Sequence, residues 1–144
     1  MEVEPKTPTA SGPADWFTGS VWGDVVASPR PPASRVGAGL VRFAPGARTA
    51  WHVHPLGQVL HITQGTAIVE NRDGQTVIAH PGQTVYTAPD KWHWHGAAQH
   101  EFMEHLALTE GLPPDGGATV AWGEQVGDDE YDRAQQPTDD GSQR

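Results

Sequence analysis

Cysteine is absent from the 144 residues. That excludes disulfides, thiolate metal sites and cysteine nucleophiles, and it fits a reducing, cytoplasmic setting. Basic residues are scarce: nine Lys and Arg stand against eighteen Asp and Glu, giving a formal net charge of −9. Without a basic stripe, neither a nucleic-acid backbone nor an anionic membrane surface is an expected partner. No apolar run approaches the ~20 residues a membrane-spanning helix needs. The opening MEVEPKTPTASGPADW has no apolar segment of the kind a signal peptide carries. Helical periodicity is almost missing as well, which leaves little room for a helical fold.

What is present is a series of short alternating apolar runs punctuated by turn residues. Strands are expected at Thr18–Val26, Val36–Phe43, Thr49–His54, Val59–Thr63, Thr66–Asn71, Thr76–Ala79, Thr84–Ala88, Glu101–Glu110 and Thr119–Trp122. Asn71-Arg72-Asp73-Gly74 and His80-Pro81-Gly82 read as turns between them. Ser28-Pro29-Arg30-Pro31-Pro32 cannot be a central strand, because proline donates no ladder hydrogen bond. Many short strands with frequent turns imply an all-β sandwich or barrel. Residues 1–14, rich in Pro, Thr, Ser and Glu, read as a disordered tail. Residues 15–123 then form the barrel domain. Residues 124–144 read as a solvated acidic segment with one brief helix before Ala134 and a free tail from Gln135.

Histidine is the residue the sequence concentrates. His52 and His54 stand at i and i+2, so on a strand both project from one face. Pro55-Leu56-Gly57 turns the chain and Gln58 opens the next strand. Downstream, His93 and His95 repeat the same spacing. Two imidazoles, a carboxamide oxygen and one of these later histidines can bind a divalent transition metal. Mixed N/O ligation fits Mn, Fe, Co, Ni or Zn. Neutral ligands leave the full +2 charge on the metal, so Gln58 favours a stronger Lewis acid than a glutamate would. In Val36–Phe43, Arg42 should face outward, leaving Gly39, Val41 and Phe43 to line an interior. On Glu101–Glu110, His105 shares parity with Met103, but both faces carry apolar residues and parity does not decide which turns inward. Trp51, Trp92 and Trp94 have opposite parity to the histidines and should pack beneath them. His61 should face outward, and His80 and His100 should be solvated.

These residues resemble the first cupin motif, G-x5-H-x-H-x3-E-x6-G. Here it is Gly46, His52, His54, Gln58 and Gly65, with Gln58 in the usual glutamate position. The second motif, G-x5-P-x-G-x2-H-x3-N, is looser: Gly82 and His93 keep their separation, but Ala88, Asp90 and Ala97 replace the Pro, Gly and Asn. The resemblance, covering roughly residues 36–110, implies a jelly-roll barrel with metal on His52, His54, Gln58 and His93. GPADWFTG, PGARTAWHVHPLGQ, KWHWHGAA and HLALTE further resemble the bacterial cupin hydroxynitrile lyases. That implies manganese as the metal, interconversion of cyanohydrins with an aldehyde plus cyanide, and catalytic roles for His95 and His105. The expected apolar wall is Gly39, Val41, Phe43 and Met103, with Lys91 near departing cyanide if it reaches inward. An iron-dependent dioxygenase and a non-catalytic small-ligand binder are the alternatives. Cupins of this size commonly form homodimers or homotetramers, so outward apolar residues such as Leu106 and Leu108 are expected to be covered by another copy.

Overall fold

The computed structural model describes residues 1–136. In chain order the elements are β1 (Ala10–Ser11), β2 (Phe17–Thr18), β3 (Val21–Ala27), β4 (Val36–Phe43), β5 (Arg48–Thr49), β6 (His52–Val53), β7 (Gln58–Gly65), β8 (Ala67–Asn71), β9 (Thr76–Ala79), β10 (Thr84–Thr87), β11 (His93–Ala97), β12 (Met103–Glu110), β13 (Ala121–Trp122) and α1 (Asp128–Ala134). They form two antiparallel sheets that curl into a jelly-roll barrel. One sheet has the order β1-β3-β4-β12-β7-β10. In the other, β9 pairs with β8 and β8 with β11, while β11 pairs with both β5 and β6.

Alternation on β7 shows how the sequence chooses its inner face. Gln58, Leu60 and Ile62 are buried, while Val59, His61 and Thr63 lie toward the outside. On β12 the inner set is Met103, His105 and Ala107, opposite Phe43, Val41 and Gly39 on β4. Leu60, Ile62, Phe43 and Met103 interlock with Val21, Ala67, Val69 and Ala97 in the core between the sheets. Burying each large apolar side chain contributes ~1.5–3 kcal/mol. Gly65 closes β7 at φ 73°, and a Cβ there would overlap the Phe102 carbonyl. Only glycine fits that turn.

Three features differ from the sequence reading. First, the strand expected over Thr49–His54 is two pieces, β5 and β6, interrupted at Ala50–Trp51. Trp51 exchanges backbone hydrogen bonds with the C-terminal segment, accepting from Gly123 N at 2.7 Å and donating to Glu124 O at 2.9 Å. Second, the segment read as an N-terminal tail supplies β1, which pairs with the edge strand β3 through Ala10↔Gly23 and Ser11↔Trp22. Thr9 also donates to Asp24. An unpaired edge offers a row of donors and acceptors, and a polar tail free of bulky residues can use them.

Third, the acidic segment is in large part a packed strap. Val126, Tyr131 and Ala134 are buried against Trp51, Ile68 and Trp94 on the outer face of the second sheet. The buried Arg48 donates to Val126 O at 2.7 Å and to Asp128 at 2.8 Å, and it lies 4.5 Å from the Tyr131 ring. Tyr131 OH donates to Ala97 O at 2.6 Å. The acids stay outside, in the first turn of α1, where they complement the helix dipole. The free tail expected from Gln135 falls, for residues 137–144, outside the described residues.

Candidate metal centre and its cavity

Five buried histidines meet at one end of the barrel. His52 comes from β6, His93 and His95 from β11, His105 from β12, and His54 from the turn after β6. Register explains the meeting: His93 pairs with His52, and β11 runs beside β6. Ring centroids lie 4.3 Å apart for His52–His93, 5.2 Å for His52–His54 and 5.1 Å for His52–His95.

Three of the five rings are tied to backbone carbonyls through Nδ1. His52 Nδ1 contacts Ala50 O at 2.9 Å, His54 Nδ1 contacts Thr119 O at 3.0 Å and His93 Nδ1 contacts Lys91 O at 2.9 Å. A carbonyl only accepts, so each Nδ1 carries the proton and each Nε2 keeps its lone pair. His93 Nε2 then stands 3.1 Å from Gln58 Oε1. That sets two acceptors face to face, an arrangement a cation relieves. His54 Nε2 is buried and, among the described residues, has no partner. The residues present therefore fit a divalent metal, which needs bare Nε2 atoms and oxygen donors converging on one point.

His52, His93 and His95 have ligand atoms all within 4.8 Å of one another. The set expected from sequence has His54 in place of His95. Distance favours His95, whereas ring chemistry favours His54: a carbonyl on Nδ1 fixes its Nε2 as a bare donor, while the Nδ1 partner of His95 is His105 Nε2 at 3.1 Å, an imidazole that can donate or accept. Gln58 lies beside His93, and its Nε2 reaches Thr109 Oγ1 at 3.5 Å.

Burial sets the protonation of all five rings. It pushes His52 and His95 well below the ordinary histidine range, with neighbouring imidazoles adding repulsion. It lowers His54 and brings His93 and His105 down to about 4. All are neutral at pH 7, the form that binds metal or accepts a proton.

Next to the rings is a cavity of about 170 Å³. Its lining combines His52, His54, Gln58, His95 and His105 with Thr49 and with Phe17, Val41, Phe43, Ala107, Val120 and Trp122. Of the wall expected from sequence, Val41 and Phe43 line the cavity. Met103 and Gly39 are outside the lining: Met103 is fully buried in the core, and Gly39 sits one step further along β4, opposite Ala107. Lys91 does not reach the cavity. Its Nζ pairs with Asp73 at 2.7 Å and its side chain is half exposed.

Phe17, Thr49, Ala107, Val120 and Trp122 are cavity residues without a role expected from the sequence. The signal existed for Ala107, which shares parity with His105. For Trp122 it did not, because only the pairing of β13 with β6 sets Trp122 opposite His52. The tryptophans beneath the histidines are where opposite parity puts them, Trp51 and Trp94 being buried under α1.

Among the described residues, no helix is long and apolar enough to cross a membrane. Residues 39–108 match the family described as Cupin domain. The chain is 46% identical to an (R)-mandelonitrile lyase of Granulicella tundricola, over 92% of this chain and all of that protein. The crystal structure of a cupin-like protein from Thermotoga maritima superposes with a TM-score of 0.80 at 30% identity, covering 94% of this chain and 98% of that one. A cupin-2 domain from Rhodospirillum rubrum superposes with a TM-score of 0.65 at 14% identity, over 85% and 81% of the two chains. The first of these likenesses runs nearly end to end at high identity, the family match covers the barrel strands that carry the histidines, and the chain is a member of the cupin family.

Proposed function

We propose that the protein is a metal-dependent lyase that cleaves or forms an aromatic cyanohydrin of the mandelonitrile class. The observation that carries this is the His95–His105 pair, hydrogen-bonded at 3.1 Å in the wall of a mostly apolar cavity beside the histidine cluster. The name of the Granulicella relative supports the substrate class.

The metal would be held by His52, His54 and His93, whose carbonyl-bound Nδ1 atoms fix a bare Nε2, together with the amide oxygen of Gln58. A divalent ion held there, manganese by resemblance, would supply Lewis acidity toward the substrate oxygen. The remaining work belongs to the chain. A single hydrogen bond links His95 Nδ1 to His105 Nε2, so in either tautomer of the neutral pair one outer nitrogen is bare and the other carries a proton. The bare nitrogen takes the hydroxyl proton as the carbon–cyanide bond breaks and its electron pair leaves with cyanide. The outer N–H then gives a proton to cyanide, releasing hydrogen cyanide and the aldehyde. Burial helps twice. It keeps the pair neutral before the reaction, and it makes the imidazolium formed in passing a ready donor. An apolar cavity of about 150 Å³ holds a benzene ring, so about 170 Å³ suits one ring with small substituents.

The test is anaerobic mandelonitrile cleavage by the metal-loaded protein. Turnover without oxygen is expected, and it separates this reading from a dioxygenase. No cleavage at full metal occupancy would sink the lyase reading.

The working unit is expected to be a homodimer or homotetramer. The outer face of the first sheet carries Leu40, Leu106, Leu108 and Val59 in register, half-exposed, with Val36 and Tyr86 more exposed beside them. The opposite sheet has α1 as its cover, and among the described residues this one has none. A monomeric mass by light scattering at micromolar concentration would refute the expectation.

A further inference from the structure

One polar group of the cavity has no part in the proton transfer just described. Trp122 stands opposite His52 in the β13–β6 register, with the two rings 4.8 Å apart. One side of the indole stacks on Trp16 at 5.0 Å and 4°, and Phe17 meets it edge-on at 6.1 Å. The ring lines the cavity, its Nε1–H is buried, and among the described residues no protein group accepts from it. An unmade hydrogen bond at a buried donor costs ~1–3 kcal/mol, so this N–H points to an acceptor brought by a ligand.

The rest of the cavity leaves it a distinct task. Thr49 Oγ1 accepts from His95 N, and the Gln58 amide N–H faces Thr109. The side chains of Phe17, Val41, Phe43, Ala107 and Val120 have no polar atoms. The substrate hydroxyl belongs beside the His95–His105 pair, where its proton must go. The other polar end of a cyanohydrin is the nitrile nitrogen, an acceptor with no proton of its own, and an indole is a donor only.

Resting on the lyase reading above, we propose that Trp122 is a specificity-determining residue whose Nε1–H donates to the nitrile nitrogen of the bound cyanohydrin. Negative charge grows on that nitrogen as cyanide departs. The hydrogen bond therefore strengthens in the transition state and favours nitriles over isosteric leaving groups.

The experiment compares the metal-loaded parent with Trp122→Phe, which keeps an aromatic ring in the wall and removes the donor. Two probes that cannot react are used, phenylacetonitrile and ethylbenzene. Binding is followed by competition and by the indole ¹⁵N–¹H resonances. In the parent, phenylacetonitrile should move the Trp122 resonance downfield and ethylbenzene should not. Trp122→Phe should bind phenylacetonitrile about tenfold more weakly, with ethylbenzene unchanged, and its kcat/KM on mandelonitrile should fall ~10–100-fold, the scale of a hydrogen bond to developing charge. Metal content should stay at the parent's level. If the variant does not fold, the parent's resonance, assigned through contacts to Trp16 and Phe17, decides alone. Equal weakening of both probes, or a Trp122 resonance blind to the nitrile, overturns the proposal and leaves the lyase reading standing. A nitrile-selective shift in a parent that cleaves no mandelonitrile would uphold the donor and remove the lyase.

Discussion

The five histidines divide by what holds Nδ1. His52, His54 and His93 each give that proton to a backbone carbonyl. His95 Nδ1 instead meets a second imidazole, at His105 Nε2. A carbonyl cannot donate back, so the first three rings have one tautomer and one fixed direction for Nε2. An imidazole can donate or accept, so the second two can exchange tautomers without moving a heavy atom. Fixed lone pairs suit a ligand, whereas exchangeable ones suit a proton carrier. One residue type, buried at one end of a barrel, is thus prepared for two tasks by its partners.

Substitution in each group gives the largest test of that division. His52→Ala should abolish stoichiometric metal binding, read by elemental analysis, and activity with it. His105→Phe should leave metal at one per chain and lower turnover by ~10²–10⁴-fold, the range for a positioned acid–base group. If His105→Phe loses metal, or if His52→Ala keeps it, the two groups are wrongly drawn.

Acid should expose what the groups share. In the unfolded chain these rings titrate near 6.5, and in the folded chain His93 and His105 do so only at about 4. Between those values the unfolded state holds more protons, so stability rises with pH. The stability these two rings contribute is present in full above pH 6.5 and is lost as pH falls toward 4, with a slope of up to ~1.4 kcal/mol per pH unit for each ring. Thermal unfolding of metal-free protein between pH 7 and 4 checks this, and a flat profile would contradict it. Added metal should hold Tm up at mildly acid pH by binding the neutral form. His105→Phe should make the metal-free profile shallower, with His93 still contributing, and keep the metal's protection.

Much of this division could be read in the chain, for a specific reason. The i, i+2 pattern at His52 and His54, and again at His93 and His95, needs only strand alternation to put rings on one face. Gln58 follows from the turn at Pro55–Gly57. What could not be read depends on contacts between distant segments. The carbonyls that fix the tautomers come from neighbouring backbone and, for His54, from Thr119, which is 65 residues away. The inward turn of His105 is set by its pairing with Val41 and Ile62. The strap over Trp94 was hidden because its acidic residues dominate the composition while three spaced residues, Val126, Tyr131 and Ala134, make the contact.

A smaller effect is expected at Gln58, which touches only the fixed group. Gln58→Glu should keep or tighten metal binding by adding a charged oxygen ligand. It should slow turnover, since the metal then carries less effective positive charge. Faster mandelonitrile cleavage at equal occupancy would refute the argument from charge.

The smallest effect concerns the turn that carries the fixed group. Asp90 has φ 62°, the one described non-glycine residue at positive φ. Its N–H donates to His54 O at 3.2 Å, and the next residue, Lys91, supplies the carbonyl for His93. This is also the position where the second cupin motif has glycine. The left-handed conformation costs ordinary residues ~1–2 kcal/mol, and Asp, which is enriched there, less. Glycine removes that strain but adds ~0.5–1 kcal/mol of chain entropy to be lost on folding. The two nearly offset, so Asp90→Gly should leave stability unchanged or raise it by no more than ~1 kcal/mol. Asp90→Ala keeps the left-handed backbone in a residue type that adopts it less readily than Asp, and should destabilise by ~1 kcal/mol. Thermal unfolding of the three proteins should therefore rank Gly at or above Asp, and Asp above Ala. The backbone geometry is the same in all three, so metal content and the His95–His105 chemistry should not change. If Asp90→Ala kept full stability but lost metal, the side chain rather than the turn would be holding His54 and His93 in place.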